Sequence, residues 1–456
     1  MTTRRRNFLK FAALASAAPA LLAQGLPPLF IRNARIVPVS GPILLKGSIL
    51  VQDGLIVAVG EGLTAPAGAQ VIEGEGLTVY PGLIDGLSTL GLDIPVIAAA
   101  PAGGRGGGGG GGGGGVPPAA LLAAAAAPIA ISKGPEDRPL TTPWVKAADQ
   151  IKASDRRLPL ARGAGFTTAV VFPTSGIFAG QGAVINLAGE KPGQMVINPS
   201  VGMYTTMSTN RGGGFPSALM GTIAYLRQTY LDANHYKAAL ALYEKNPTLQ
   251  RPTYERALEG IADAPLTLFP AVRAYEIDRL IRLTREFGVK SALYGVHEGF
   301  RRGEELAKAV IPVIVNVKWP EAARDQDPEE HEDSRVLELR DKAASTPGVL
   351  AKAGVKFTFS SIGVDTPANT IRAIKKAIDA GLPPAEALKA MTLTAAQIYG
   401  VSKQLGSLEK GKIANLTVTK GDLFQDSTKV QFVVIDGVKY DPPLEEPAIV
   451  RPEVTR

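Results

Sequence analysis

The sequence predicts an α/β protein: a parallel sheet wrapped by helices, joined to a small β domain assembled from both chain ends. Three observations carry that prediction. Strand-like apolar runs alternate with amphipathic helical runs through the middle of the 456 residues, as they do in a parallel sheet. Short β-rich runs occupy both ends, and neither set alone is large enough for a stable layer. Finally, Tyr80-Pro81-Gly82 turns into the buried run Leu83-Ile84, followed by Asp85. There a parallel strand delivers its first polar side chain to the end of the sheet where sites are built.

Bulk composition narrows the function. With 45% hydrophobic and 20% charged residues the chain can bury a sizeable core. The net charge is +7, but Arg4, Arg5, Arg6 and Lys10 lie in an N-terminal leader without acids. The remainder is too weakly and too diffusely basic to argue for nucleic acid. No cysteine is present, which excludes disulfides and thiolate metal sites. The only histidines are His235, His297 and His331.

Residues 1–23 read as an export signal. Arg5-Arg6-Asn7-Phe8-Leu9-Lys10 resembles the twin-arginine pattern, and the apolar segment Phe11 to Leu22 leads to small residues suited to cleavage. That segment falls short of the ~20 residues that span a bilayer, so the expectation is a periplasmic protein without a stable membrane anchor.

The β domain is expected over 27–80 and 403–441. Leu29-Phe30-Ile31, Ala34 to Val37, Ser48 to Val51 and Leu55 to Val59 alternate as strands, with Asp53-Gly54 as a two-residue hairpin turn. The same style returns at Leu405 to Val418 and at Val430 to Val438. Residues 81–402 are then the inserted α/β unit, and the Pro- and charge-rich 442–456 a flexible tail. The Gly-rich insertion at 101–118 lacks the spacing and the Lys-Ser/Thr of a phosphate loop, so a disordered linker is expected there.

Within the middle unit, Phe166 to Phe172, Leu266 to Phe269, Ser291 to Val296, Ile311 to Val317 and Lys356 to Ser361 read as strands. A helix is predicted from Tyr275 to Phe287, with Ile277, Leu280, Ile281 and Thr284 on one face.

Pro81-Gly82-Leu83-Ile84-Asp85 resembles the opening of the amidohydrolase superfamily barrel. Phe166-Thr167-Thr168 with Ala179-Gly180-Gln181-Gly182-Ala183 is similar to its imidazolonepropionase-like branch. Ala387-Leu388-Lys389-Ala390-Met391-Thr392 and Gly406 to Leu416 resemble its closing segment, with Asn415 where the family has Asp. The resemblance implies a TIM-type (β/α)8 barrel of the metallo-dependent hydrolases beside a composite β-sandwich domain. It also implies hydrolysis of non-peptide C–N bonds in small cyclic amides or related compounds.

For such an enzyme the resemblance implies a divalent metal, zinc, held by a His-x-His pair, further histidines and a last-strand aspartate that serves as base. Here Leu87 and Thr89 stand at the His-x-His positions and Ile362 at the aspartate position. Leucine and isoleucine offer no lone pair, and a neutral hydroxyl is a poor zinc ligand. The residual catalytic candidates are His297, Glu298 and Asp365, and one histidine cannot hold a catalytic zinc. Arg273, Lys318 and Ser361, at strand ends, are candidates for binding an anionic ligand. His235 reads as an exposed helix residue, and His331 as part of a solvated acidic loop at 325–333. The resemblance implies a C–N hydrolase first; the alternative is an inactive relative that binds a small molecule or regulates a partner, and metal-free hydrolysis through His297 or Asp365 ranks last. As partners, a second copy of the chain or an intact amidohydrolase homologue are both open.

Overall fold

The computed structural model describes residues 27–93, 132–210, 214–322 and 331–443. The leader (1–23), the Gly-rich insertion (101–118), most of the acidic run and the tail beyond residue 443 lie outside the described residues.

The N-terminal strands are β1 (Leu29–Ile36), β2 (Leu44–Gln52), β3 (Leu55–Gly60), β4 (Gln70–Glu73) and β5 (Leu77–Pro81). Asp53 and Gly54, both at positive φ (51° and 77°), make the expected tight hairpin between β2 and β3.

The barrel strands are β6 (Leu83–Ser88), β7 (Phe166–Val171), β8 (Phe178–Asn186), β9 (Val196–Thr205), β10 (Thr267–Ala271), β11 (Ser291–Gly295), β12 (Val313–Asn316) and β13 (Phe357–Ser360). They pair in chain order into one rolled sheet. Its helices are α1 (Arg157–Gly163), α2 (Pro192–Met195), α3 (Leu219–Lys245), α4 (Ala274–Phe287), α5 (Gly303–Ala309), α6 (Ser334–Lys342), α7 (Thr346–Lys352), α8 (Pro367–Asp379), α9 (Pro384–Ala390) and α10 (Leu393–Ile398). The predicted helix at 275–287 is α4; it buries Ile277, Leu280, Leu283 and Thr284.

One strand departs from the all-parallel pattern of a (β/α)8 barrel. β8 runs antiparallel to both β7 and β9, so β7-β8-β9 form a meander within an otherwise parallel sheet. Only the short loop 172–177 separates β7 from β8, too little for a parallel crossover.

The chain returns to the first sheet through β14 (Leu416–Lys420), β15 (Lys429–Ile435) and β16 (Val438–Tyr440). β14 lies against β5, giving one mixed sheet built from both ends, as expected. Its apolar core includes Ile31, Ile36, Ile49, Val79, Leu416, Val418 and Val434. Asp436-Gly437 forms a second tight turn, both residues at positive φ (52° and 80°), packed against Gly54: a Cβ on Gly437 would lie 2.9 Å from Gly54 Cα.

Asn415, the departure from the family's Asp, joins this sheet to the barrel. Its buried side-chain amide donates to Thr168 Oγ1 (3.0 Å) and Asn186 Oδ1 (2.7 Å), and its Oδ1 accepts from Asp436 N (2.9 Å). A carboxylate at that position has no proton to donate to either oxygen. Asn415→Asp is expected to cost about 2–3 kcal/mol, read as a fall in the urea unfolding midpoint. An unchanged midpoint would remove the donor role.

Candidate functional site

The candidate site is the interior and mouth of the barrel, and its inward-facing residues decide what it can do. Ile84, Leu87, Val170, Phe172, Val184, Tyr204, Leu268, Ala292, Ile314 and Tyr399 form one buried apolar cluster, with Tyr294 and Ile362 packed against it. Its rings are linked: Phe172 lies 5.7 Å from Tyr204 and 6.3 Å from Tyr399, and Tyr204 stacks on Tyr294 at 4.8 Å between centroids. The two phenol groups that enter this interior most deeply bond to backbone: Tyr294 Oη donates to Thr205 O (2.9 Å), and Tyr399 Oη donates to Gly86 O. Burial drives both hydroxyls well above their usual pKa, so they are neutral donors.

Two of the positions set against the family's ligands, Leu87 and Ile362, fall in or against this packing. Leu87 is 1% exposed and belongs to the cluster. Thr89 is held by Arg157, which donates to Thr89 Oγ1 (3.1 Å), Thr89 O (2.8 Å) and Leu92 O (2.7 Å). Arg157 is steadied in turn by Asp155 at 2.7 Å. The Thr89 hydroxyl is thus engaged by a guanidinium whose charge Asp155 balances. Ile362 packs on the interior side chains. Among the described residues no three His, Cys, Asp or Glu side chains are grouped so as to hold an ion. The residues present do not fit the zinc of the family.

Among the described residues the one carboxylate on a barrel strand is Asp85, 3% exposed on β6. Its Oδ1 accepts from Ser361 N (3.2 Å) and its Oδ2 from Ser361 Oγ. Burial pushes the carboxyl up to about 6, against hydrogen bonds from Ser361, Ser88 and Leu87 that pull it down. This pair spans the seam between β13 and β6, which no backbone ladder joins. Ser360 Oγ donates across the same seam to Leu87 O at 2.8 Å. Gly86 permits the approach, since a Cβ there would lie 2.8 Å from Phe359 O.

The sequence-derived candidates are dispersed around this plug. His297 begins a short turn after β11; its Nε2 donates to Asn316 O (3.0 Å), and its ring lies 6.0 Å from that of Trp319. Burial lowers its pKa and so favours the neutral ring, while the bond to Asn316 O works in the opposite direction. Glu298 accepts from Ala274 N at 2.7 Å and so caps α4. Asn316 also donates to Ile362 O (3.0 Å) and accepts from Lys318 N (2.7 Å), tying the ends of β12 and β13 together. Lys318 lies 3.9 Å from Asp365, an exposed pair on the rim. Ser361 is engaged by Asp85, and Arg273 is an exposed residue ahead of α4. The geometry thus joins Lys318 to Asp365 and places Ser361 at the seam. His235 is exposed on α3, and His331 is exposed.

Sequence reasoning missed Arg157 and the Tyr204–Tyr294–Tyr399 set. Arg157 lies 68 residues from Thr89 with no local signal between them. The tyrosines sit in runs that read simply as strand or helix.

Residues 281–439 match the sequence model of the Amidohydrolase family. Dihydroorotases from Pelobacter propionicus and Geobacter sulfurreducens are 40% and 47% identical over 57 residues, and the match spans 13% of the length of these curated relatives. Among solved structures, an amidohydrolase from Thermotoga maritima MSB8 superposes with a TM-score of 0.72 at 24% identity, covering 90% of this chain and 99% of that one. Molinate hydrolase superposes at 0.52 with 14% identity, covering 94% and 98%. The sequence match to the Amidohydrolase family runs from α4 through the last barrel strands into the closing sheet, and the fold of the Thermotoga maritima amidohydrolase is shared over nearly the whole chain.

Proposed function

We propose that this chain is an exported superfamily member whose barrel serves as a binding or regulatory scaffold in the periplasm, paired with an intact amidohydrolase homologue. The observation that carries this reading is the filled barrel interior. Leu87 and Ile362 belong to an apolar and aromatic packing, and Thr89 is bonded to a guanidinium. A catalytic zinc needs about three protein ligands and an open position for water, and neither is supplied by these residues. Export rests on the twin-arginine-like Arg5-Arg6-Asn7-Phe8-Leu9-Lys10. Among the described residues no helix is long and apolar enough to cross a membrane.

A second reading is hydrolysis of C–N bonds in small cyclic amides. Its support is the resemblance to superfamily hydrolases acting on such bonds, carried by the family match and the shared fold.

One experiment separates them. The full chain, expressed with its leader and recovered from the periplasmic fraction, is analysed for metal by elemental mass spectrometry. It is then assayed on cyclic amides, imides and ureas with and without added Zn²⁺ or Mn²⁺. The scaffold reading expects substoichiometric metal that dilute chelator removes, and no metal-dependent turnover. Near one metal per chain with chelator-sensitive turnover would overturn it in favour of the hydrolase.

A further inference from the structure

Where α4 and α5 end, the outside of the barrel holds a hollow of about 530 Å³, within the size range of small-molecule sites. It reaches the residues at which β10, β11 and β12 begin, Leu266, Ser291 and Pro312. It therefore lies at the opposite end of these parallel strands from His297, Lys318 and Ser361. Its wall is apolar, built from the half-buried Ile281, Val289, Ala309 and Ile311.

Two exposed cations, Arg285 and Lys290, stand on this hollow, and no lining residue is acidic. Among the described residues neither cation is paired with an acid. The acids of α4 are committed elsewhere. Glu276 accepts from Val272 N and Arg273 N, Asp278 pairs with Arg302 at 2.9 Å, and Glu286 pairs with Arg227 at 2.7 Å. A basic residue in a last helical turn complements the helix dipole, which is reason enough for Arg285. Lys290 lies past the helix, in the loop into β11, and adds its charge to the same concave surface.

Val310 is the second observation. Both helices end on a residue in the left-handed conformation. For α4 it is Gly288 (φ 66°), the residue type that conformation favours. For α5 it is Val310 (φ 55°), β-branched and 85% exposed. Both residues line the hollow. The chain thus holds an apolar side chain in water at a backbone position that disfavours it, where little of the fold touches it. A ligand packed against that side chain supplies the contact that the fold does not.

The surrounding charges choose the polar end of such a ligand. Helix C-termini present carbonyl oxygens, which oppose the dense charge of a phosphate and offer it no N–H groups. A single negative charge met by two long cationic side chains suits the hollow better. We propose that this hollow binds a small apolar monocarboxylate, an aryl or medium-chain alkanoate, with its carboxylate met by Arg285 and Lys290 and its apolar body against Val310 and Ile311. The proposal holds whether or not the barrel mouth is active.

Fluorine NMR of the full chain, titrated with para-fluorophenylacetate, omega-fluorooctanoate and the neutral para-fluorophenylethanol, tests it. At least one of the acids is expected to bind with a Kd below about 1 mM, and the alcohol about tenfold more weakly than the acid of its shape. Arg285→Gln with Lys290→Gln is expected to weaken acid binding about tenfold and to leave the thermal midpoint unchanged, since both side chains are exposed and unpaired. Val310→Gly is expected to weaken acid binding about threefold without lowering the midpoint, because glycine accepts the left-handed backbone freely. Failure of both acids to saturate the protein, equal binding of acid and alcohol, or undiminished affinity in either variant would each overturn the proposal. A fall in the midpoint of Val310→Gly would make that side chain structural and remove the second observation.

Discussion

Asp85→Asn is expected to gain about 3 kcal/mol of stability relative to the parent between about pH 4 and about pH 7. The carboxyl is buried and its pKa is raised in the fold from 3.8 to about 6. The folded state therefore holds the proton more tightly than the unfolded chain does. Stability contributed by protonated Asp85 is fully present below pH 3.8, declines as the unfolded chain ionises, and is lost once the pH has passed about 6. Asparagine keeps an acceptor for Ser361 N and an uncharged group for the hydroxyl, and it does not titrate. Urea unfolding of both proteins across this range reads the difference directly. Parallel pH profiles would show that Asp85 is hydrated or otherwise compensated, and the seam would lose its titrating element. Ser361→Ala supplies a check of sign: removing a donor to the carboxylate should move the transition to higher pH.

Leu87→His, the change that restores the first family ligand, is expected to cost about 4 kcal/mol and to gain nothing from zinc. Leucine at this position is almost fully buried among Ile84, Val170, Phe172 and Ile314. Its replacement forfeits that burial and leaves an imidazole without a hydrogen-bond partner, two costs of about 2 kcal/mol each. Combining it with Thr89→His and Ile362→Asp is expected to be worse, because the new groups must displace packed side chains and the hold of Arg157 on residue 89. A site that bound zinc a hundredfold above its Kd would recover about 2.7 kcal/mol. Unfolding midpoints measured with and without Zn²⁺ should coincide; recovery by that amount would mean the metal site is latent in the fold rather than overwritten.

Much of the architecture was legible because it is written in local pattern. Asp53-Gly54 could only be a tight turn between two strands, and Phe166 to Val171 could only be a buried strand. The loss of the ligand set could be read position by position once the Pro-Gly-Leu-Ile-Asp run fixed the register. The direction of β8 could not be read in that way. Nearly every residue from Phe178 to Asn186 is buried, so no alternation marks either face, and strand direction leaves no trace in side-chain period. The roles of Asp85 and Asn415 depend on partners 276 and 247 residues away, where no spacing rule applies. Sequence thus gave the scaffold and the missing chemistry, while what fills the vacated positions emerged only from packing.

The side-chain fastening between β13 and β6 bears on how the molecule is made. A barrel closed by a full ladder has no first or last strand, but this one retains two lips that must be drawn together. Because one lip is synthesised early and the other nearly 270 residues later, the join waits for almost the entire barrel to emerge. Bringing such distant segments together is entropically slow. Until then the edge of Leu83–Ser88 lacks even the side-chain bonds from Ser360 and Ser361 that cover it in the finished fold. A chain halted before Ser360 would remain an open scroll, exposing the tyrosine-lined interior that the finished protein conceals.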